Sequence, residues 1–187
     1  MSKKVLVPLA LGFEELEAVA IIDVLRRGGI EVIVAGVDKK SISGANGIVI
    51  EADKLVSEVS AKNLDMVVLP GGWGGTDILA TNENIQNILK EMKADDKKIG
   101  AICAAPFALS EAGVLGENFT CYPSVEERIE KNSGYSSEKM VVRDGNIMTS
   151  RGPGTAICFG LQIVRDLIGE ETYKNLKDGL LATYCED

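Results

Sequence analysis

Apolar segments of strand length are the feature that most constrains the fold of this chain. Val5 to Leu9 and Met66 to Leu69 contain almost no polar residue. Continuous apolar runs, in contrast to alternating ones, are typical of strands that other elements cover on both faces. The sequence therefore predicts a buried, largely parallel sheet.

Helix signals separate these strands. From Glu14 onward, Leu16, Ala20 and Val24 recur at four-residue spacing, and Gly28 with Gly29 ends the pattern. The alternation continues with predicted strands at Glu31 to Ala35, Lys98 to Ile102 and Ile147 to Ser150, and predicted helices at Glu83 to Met92, Pro106 to Ala112 and Thr155 to Ile168. Strands joined by helices form right-handed crossovers, so we predict an α/β fold, an open doubly wound sheet with helices on both faces.

Two local hairpins are expected in addition to this sheet. Ser41 to Glu51 turns at Gly44 or Gly47, and Met140 to Met148 turns at Gly145. No repeat, low-complexity tract or linker interrupts the 187 residues, so residues 1–187 are predicted to form a single domain.

Composition excludes several classes of function. Lysine and arginine number 20 against 28 acidic residues, and no basic cluster is present, so nucleic acid is not an expected partner. The first apolar run is short and is soon followed by Glu14, which argues against a signal peptide or membrane anchor. The chain has no histidine, which excludes Ser-His-Asp and Cys-His catalysis and imidazole zinc sites. No metal and no cofactor is predicted.

The cysteines show no C-x-x-C spacing and are interpreted as free thiols. This interpretation favours a reducing, cytoplasmic location. They are Cys103, Cys121, Cys158 and Cys185.

Cys103 lies where a predicted strand runs into a helix through small residues, from Gly100 to Pro106. A thiol at such a turn faces the helix dipole and unpaired amides, which favour the thiolate and would lower its pKa. The small neighbours suit a tight elbow that presents a nucleophile. The alternative is a buried cysteine that acts only as a small apolar residue.

Two further segments follow predicted strands. Gly71 and Gly72 belong to a glycine-rich loop, Leu69 to Asp77, whose amides could converge on an oxyanion or could form only a flexible turn. The loop is neither a Walker motif nor a G-x-G-x-x-G motif. Glu17 lies in the first turn of the first helix, where an acid often serves only the helix dipole. Turned inward beside a thiolate, its carboxyl would be protonated and could transfer protons.

Four segments together resemble the ThiJ/PfpI superfamily, in its DJ-one/YajL-like branch. They are Gly12 to Glu17, Leu69 to Gly72, Ala101 to Pro106 and Thr149 to Thr155. The resemblance implies a flavodoxin-like homodimer in which Cys103 is the reactive cysteine, Glu17 is its acid, and Gly72 and Ala104 supply amides. Tyr122 stands where relatives have a pocket histidine, and it either lines the pocket or packs beside Pro123. The first helix commonly lies at the dimer interface, so Arg27 is a candidate contact.

The resemblance also implies a function. Members convert methylglyoxal or glyoxal to hydroxy acids without glutathione or act on early glycation adducts, so small aldehydes or glycated groups are the expected partners. The alternative is a redox sensor or stress chaperone in which Cys103 is oxidised, with Cys121 as a candidate resolving thiol. The peptidase branch has a histidine directly after the nucleophile. Ala104 occupies that position here, so peptidase activity is disfavoured.

Overall fold

The computed structural model describes residues 2–185 and shows eleven strands and six α-helices within them. The strands are β1 (Lys4–Leu9), β2 (Glu31–Gly36), β3 (Ser41–Ser43), β4 (Val49–Glu51), β5 (Lys54–Leu55), β6 (Met66–Leu69), β7 (Lys98–Ile102), β8 (Asn118–Phe119), β9 (Gly134–Tyr135), β10 (Val141–Asp144) and β11 (Ile147–Ser150). The helices are α1 (Glu15–Arg27), α2 (Trp73–Thr81), α3 (Glu83–Ala94), α4 (Pro106–Glu111), α5 (Ala156–Leu167) and α6 (Glu170–Gly179). Met1, Glu186 and Asp187, which the predicted domain includes, lie outside the described residues.

The central sheet has seven strands in the order β10-β11-β7-β6-β1-β2-β5. Neighbouring strands are parallel except β10, which runs antiparallel to β11 as the second strand of a hairpin. The other predicted hairpin is β3 with β4, outside this sheet. The structure thus confirms the predicted flavodoxin-like, mostly parallel α/β architecture.

Alternating side chains of β1 show how the sheet is covered. Val5, Val7 and Leu9 belong to a core shared with α1 and α5, whereas Leu6 belongs to a second core shared with α2, α3 and α4. All four side chains are 0% exposed. The continuous apolar run therefore reflects a strand buried on both faces.

Two helices were not expected from the sequence. The segment read as a glycine-rich loop becomes helical at Trp73, because its glycines serve packing rather than flexibility. A Cβ atom on Gly75 would lie 2.9 Å from the Cα atom of Phe13, so α2 can sit this close to the loop after β1 only without a side chain there. Helix α6 was not predicted because its sequence is polar and has too few apolar positions to show a helical pattern.

The interpretation of all four cysteines as free thiols is wrong for two of them. Cys158 on α5 and Cys185 after α6 form a disulfide, and Cys103 and Cys121 are free. The pair is 27 residues apart in sequence, and only the return of the chain through α6 brings the two sulfurs together. In the chain-entropy view, closing a loop of this length contributes about 3.5 kcal/mol to stability.

The helices between residues 2 and 185 were also considered as candidate membrane spans. None of them combines the length and the apolar character that crossing a bilayer requires.

Candidate functional site

Three adjacent strands of the sheet, β7, β6 and β1, end at the same edge, and the predicted site residues follow them. Cys103 follows β7, Gly71 and Gly72 follow β6, and Glu17 lies in the first turn of α1 after β1. Ligands of open α/β sheets bind beyond the carboxyl ends of the strands. The structure brings these four residues together as the sequence predicted.

Cys103 occupies a sharp elbow between β7 and α4. Its φ of 63° lies in the left-handed region, which is costly for a residue with a side chain. Two backbone hydrogen bonds hold this conformation: the Cys103 N–H donates to the Ser150 carbonyl at 3.0 Å, and its carbonyl accepts from the Tyr122 N–H at 2.8 Å. The residue is 8% exposed and is therefore almost fully buried.

Glycine at position 71 allows the thiol and the carboxyl group to approach each other. A Cβ atom on Gly71 would lie 2.6 Å from the Cβ atom of Cys103 and 2.7 Å from Oε2 of Glu17. No side chain fits between these groups. The next residue, Gly72, has a φ of 89°, and its amide, together with that of Ala104, forms a hydrogen bond with the Cys103 sulfur.

The Glu17 carboxyl is fully buried, and one of its two oxygens lacks a hydrogen-bond partner among the described residues. Oε2 accepts a hydrogen bond from the Gly71 N–H at 2.7 Å. Oε1 is buried without a hydrogen-bond partner among the described residues, although the Cys103 thiol interacts with the same carboxyl group. A buried carboxyl oxygen without a donor favours the protonated acid.

The ionisation of Glu17 and the ionisation of Cys103 affect each other. Burial raises the pKa of Glu17 to about 7, against the opposing effect of hydrogen bonds from Gly71 and Cys103. Burial and the Glu17 carboxylate also raise the pKa of the Cys103 thiol, and the Gly72 and Ala104 amides only partly offset this effect.

The prediction that the helix dipole lowers the thiol pKa is therefore wrong for a Cys103 that faces an ionised Glu17. The helix in question, α4, has only six residues, so its dipole is small. The thiol and the carboxyl group instead act as a unit in which the proton of the sulfur has a nearby acceptor.

Tyr122 lies beside the elbow, as predicted. Its backbone holds the Cys103 carbonyl, and its side chain is 42% exposed. A Cβ atom on Gly152 would be 3.2 Å from the Tyr122 ring, so the ring packs against the turn after β11. The ring is thus packed on one side and exposed on another, and a role of Tyr122 in lining a substrate pocket stays a prediction.

The second free thiol is Cys121, the residue before Tyr122. It is buried, and its sulfur lies 3.9 Å from a Glu126 carboxylate oxygen. Burial, followed by the charge of Glu126, raises the pKa of Cys121 to about 12. Burial therefore favours the protonated thiol here, as it does at Cys103, and Cys121 differs in being 0% exposed, against 8% for Cys103.

An aromatic and cationic cluster adjoins the site and was missed at the level of sequence. The Arg128 guanidinium lies 3.9 Å from the centroid of the Phe107 ring and 5.8 Å from that of Trp73, and it bonds Asp77 at 2.8 Å. Trp73 directly follows Gly72, and the Phe107 N–H donates to the Ala104 carbonyl. The members come from three separate segments, so no local pattern could reveal the cluster. Within residues 2–185 no three Cys, Asp or Glu side chains converge as metal ligands.

Comparison with known proteins places this geometry in a family. The DJ-1/PfpI family model matches residues 3–166, and this chain belongs to that family. Protein dj-1beta of Drosophila melanogaster is 41% identical over 186 residues, which cover 98% of this chain and 100% of that protein. Its crystal structure superposes with a TM-score of 0.93 over 97% of this chain and 98% of the other.

Two further relatives carry informative names. Glutathione-independent glyoxalase DJR-1.2 of Caenorhabditis elegans is 37% identical over 164 residues, 87% of each chain. The structure of oxidized DJ-1 from Toxoplasma gondii has a TM-score of 0.90 and 38% identity, and the match covers 96% of this chain and 98% of that one. The resemblance of four short segments to the ThiJ/PfpI superfamily is thus confirmed over nearly the whole chain.

The raised pKa of Glu17 makes stability depend on pH. The folded-state pKa of about 7 exceeds the ordinary value of 4.5, so this group's contribution is complete below pH 4.5 and is lost as pH rises through 7. Glu17→Gln retains the acceptor for Gly71 but cannot ionise. We therefore expect the variant to gain up to about 3 kcal/mol relative to the native chain between pH 5 and pH 8. Urea unfolding at both pH values measures this gain, and an equal difference at both would contradict the assignment.

Proposed function

We propose that this protein converts 2-oxoaldehydes such as methylglyoxal to 2-hydroxy acids without glutathione, with Cys103 as nucleophile and Glu17 as proton carrier. The observation that carries the proposal is a buried carboxyl group of pKa about 7 placed against an elbow thiol. A general base works best when its pKa lies near the working pH. The name of the nematode glyoxalase relative supports the same chemistry.

The first step is addition of the sulfur to the aldehyde carbon. The thiol proton passes to the Glu17 carboxylate, the sulfur–carbon bond forms, and the carbonyl π pair moves to oxygen. The amides of Gly72 and Ala104, which act on the Cys103 sulfur in the free protein, would donate hydrogen bonds to this new oxygen. Transfer of the proton from Glu17 to this oxygen gives a hemithioacetal and restores the Glu17 carboxylate.

The second step moves a proton between carbons. The Glu17 carboxylate removes the hydrogen from the sulfur-bearing carbon and delivers this proton to the ketone oxygen, which gives an enediol. Glu17 then takes the proton of the hydroxyl group on the sulfur-bearing carbon and delivers it to the neighbouring carbon, which gives a 2-hydroxy thioester. Water then attacks the thioester, releases the hydroxy acid and restores the thiol. One aldehyde and one water yield one acid, so no external oxidant or reductant is needed.

Activity and its pH dependence test this sequence of steps. Cys103→Ser and Glu17→Gln are each expected to lower kcat/KM for lactate formation from methylglyoxal at least about 100-fold, because each removes a group on which a chemical step depends. In the native chain kcat/KM should rise as pH increases through about 7, where Glu17 becomes available as a base. An enzymatic lactate assay measures both.

Cys121→Ser and Glu15→Gln are the matched controls. Cys121 is the other free thiol, and Glu15 lies two residues from Glu17 on the same helix but bonds the backbone of Ile48 and both the backbone and side chain of Asn46. Both controls should retain activity. Turnover that survives loss of Cys103 would refute the mechanism.

Oxidation of Cys103 is a second candidate role, and the same pair favours it. Peroxide would take the thiolate to sulfenate and then sulfinate, and a protonated Glu17 could donate a hydrogen bond to the new oxygens. Mass spectrometry after mild peroxide treatment should show two added oxygens on Cys103 and none on Cys121. Glu17→Gln should reduce this selectivity, and equal oxidation of both thiols would contradict the role. Action on early glycation adducts, stress protection and chaperone activity remain proposals beyond this test.

We also propose that the protein is a homodimer. The apolar side chains of Leu16, Val19, Ile48 and Val49 are 64%, 50%, 57% and 59% exposed on α1 and the adjacent β3–β4 hairpin. The Glu15 carboxylate joins these two elements through bonds from the Asn46 N–H at 2.6 Å and the Ile48 N–H at 3.2 Å. A contiguous exposed apolar patch of this kind marks an interaction surface.

Self-association can be tested with a charge in this patch. Val19→Asp should convert a dimer to a monomer, because a buried unpaired carboxylate is costly at an interface. Light scattering coupled to size exclusion measures the mass. Leu181→Asp is the control, since Leu181 is 80% exposed after α6, outside the patch. A native chain that elutes as a monomer would overturn the proposal. Arg27, the other suggested contact, bonds Asp23 on its own helix at 2.7 Å.

The cytoplasmic location stays a prediction. It was based on four free thiols, and the structure leaves two, Cys103 and Cys121.

A further inference from the structure

A cavity of about 320 Å³ lies against the disulfide, between α5 and the β10–β11 hairpin. Cys158 is among its lining residues, whereas its partner Cys185 is not. The other lining residues are Lys139, Met140, Val141, Arg143, Met148, Gln162 and Arg165. The cavity therefore borders Cys158 and not Cys185, and Cys158 is 3% exposed.

The wall of this cavity carries an excess of positive charge. Arg143 bonds Asp166 at 2.5 Å, and Arg165 bonds Glu170 at 2.5 Å, so two of its three cations are paired. Asp166 also forms an ion pair with Lys98, at 2.7 Å. Lys139 is exposed, and no carboxylate of residues 2–185 lies within ion-pair distance of its ammonium group. On a chain of net charge −8, this is a local site that attracts a small anion.

We propose that this cavity is a thiol–disulfide exchange site, in which a small anionic thiol reaches Cys158 and opens the bond to Cys185. The thiolate attacks the Cys158 sulfur, a mixed disulfide forms, and Cys185 leaves as a thiolate that takes up a proton. A second thiolate then attacks the small-molecule sulfur, which releases the small disulfide and the Cys158 thiolate. Two electrons pass from two thiols to the protein disulfide.

Opening of the bond releases a defined part of the chain. Leu180 caps α6 and packs against the core, whereas in residues 181–185 the buried side chains are Ala182, 1% exposed, and Cys185, 3% exposed. Leu181, which lies between the end of α6 and Ala182, is 80% exposed. A segment with so little burial loses most of its attachment when the covalent link is cut. The exchange site thus controls the order of this segment independently of Cys103.

Reduced glutathione, which is anionic, and 2-mercaptoethanol, which is neutral, are the two probes. The rate of disulfide opening is followed by alkylation and mass spectrometry of acid-quenched full-length protein. Lys139→Gln should slow opening by glutathione roughly five-fold and opening by 2-mercaptoethanol less than two-fold, because only the anion is attracted by the lost charge. Lys139→Glu should slow the glutathione reaction further.

Lys90→Gln is the matched control, because this exposed lysine on α3 does not line the cavity. It should change neither rate. Trapped glutathione on Cys158 and a free Cys185 support the site. Glutathione on Cys185, equal effects of Lys139→Gln on both reductants, or a purified protein without the bond under non-reducing conditions would each overturn the proposal.

Discussion

The buried Glu17 carboxyl is the interaction on which the functional site depends. It joins α1 to the loop after β6 through the 2.7 Å hydrogen bond from Gly71, and it faces the sulfur that follows β7. Three elements of the chain therefore meet at one titratable group. In a molecule without histidine, burial, together with the charge of Glu14, moves the pKa of this carboxyl into the range where imidazole ordinarily works. The sheet positions the carboxyl group beside the sulfur, and desolvation raises its pKa so that it can exchange a proton near neutral pH.

Much of this arrangement could be predicted because its signals are local. Continuous apolar runs identified the parallel strands, and the small residues around Cys103 identified the elbow, since only a tight turn favours that composition. Gly71 and Gly72 were assigned to the correct edge of the sheet. The reason for Gly71 was different from the one expected, because it leaves space for two side chains to meet rather than donating to a substrate.

The remaining features depend on distances that a sequence does not contain. Glycines at positions 74 and 75 argued against helix α2, yet Gly75 is what lets this helix approach the loop after β1. The thiol pKa was expected to fall because dipoles were considered without burial or the neighbouring charge, and these two effects prevail. The Cys158–Cys185 bond and the Trp73, Phe107 and Arg128 cluster each join segments far apart in the chain.

The absence of a side chain at Gly71 limits which substitutions the site can tolerate during evolution. Even a single methyl group there would have to push apart the thiol and the carboxyl while every reactive group remained in the sequence. A descendant with alanine at this position would keep the recognisable cysteine and glutamate yet lose their partnership. The smallest residue of the motif is therefore as necessary to this pairing as the nucleophile itself.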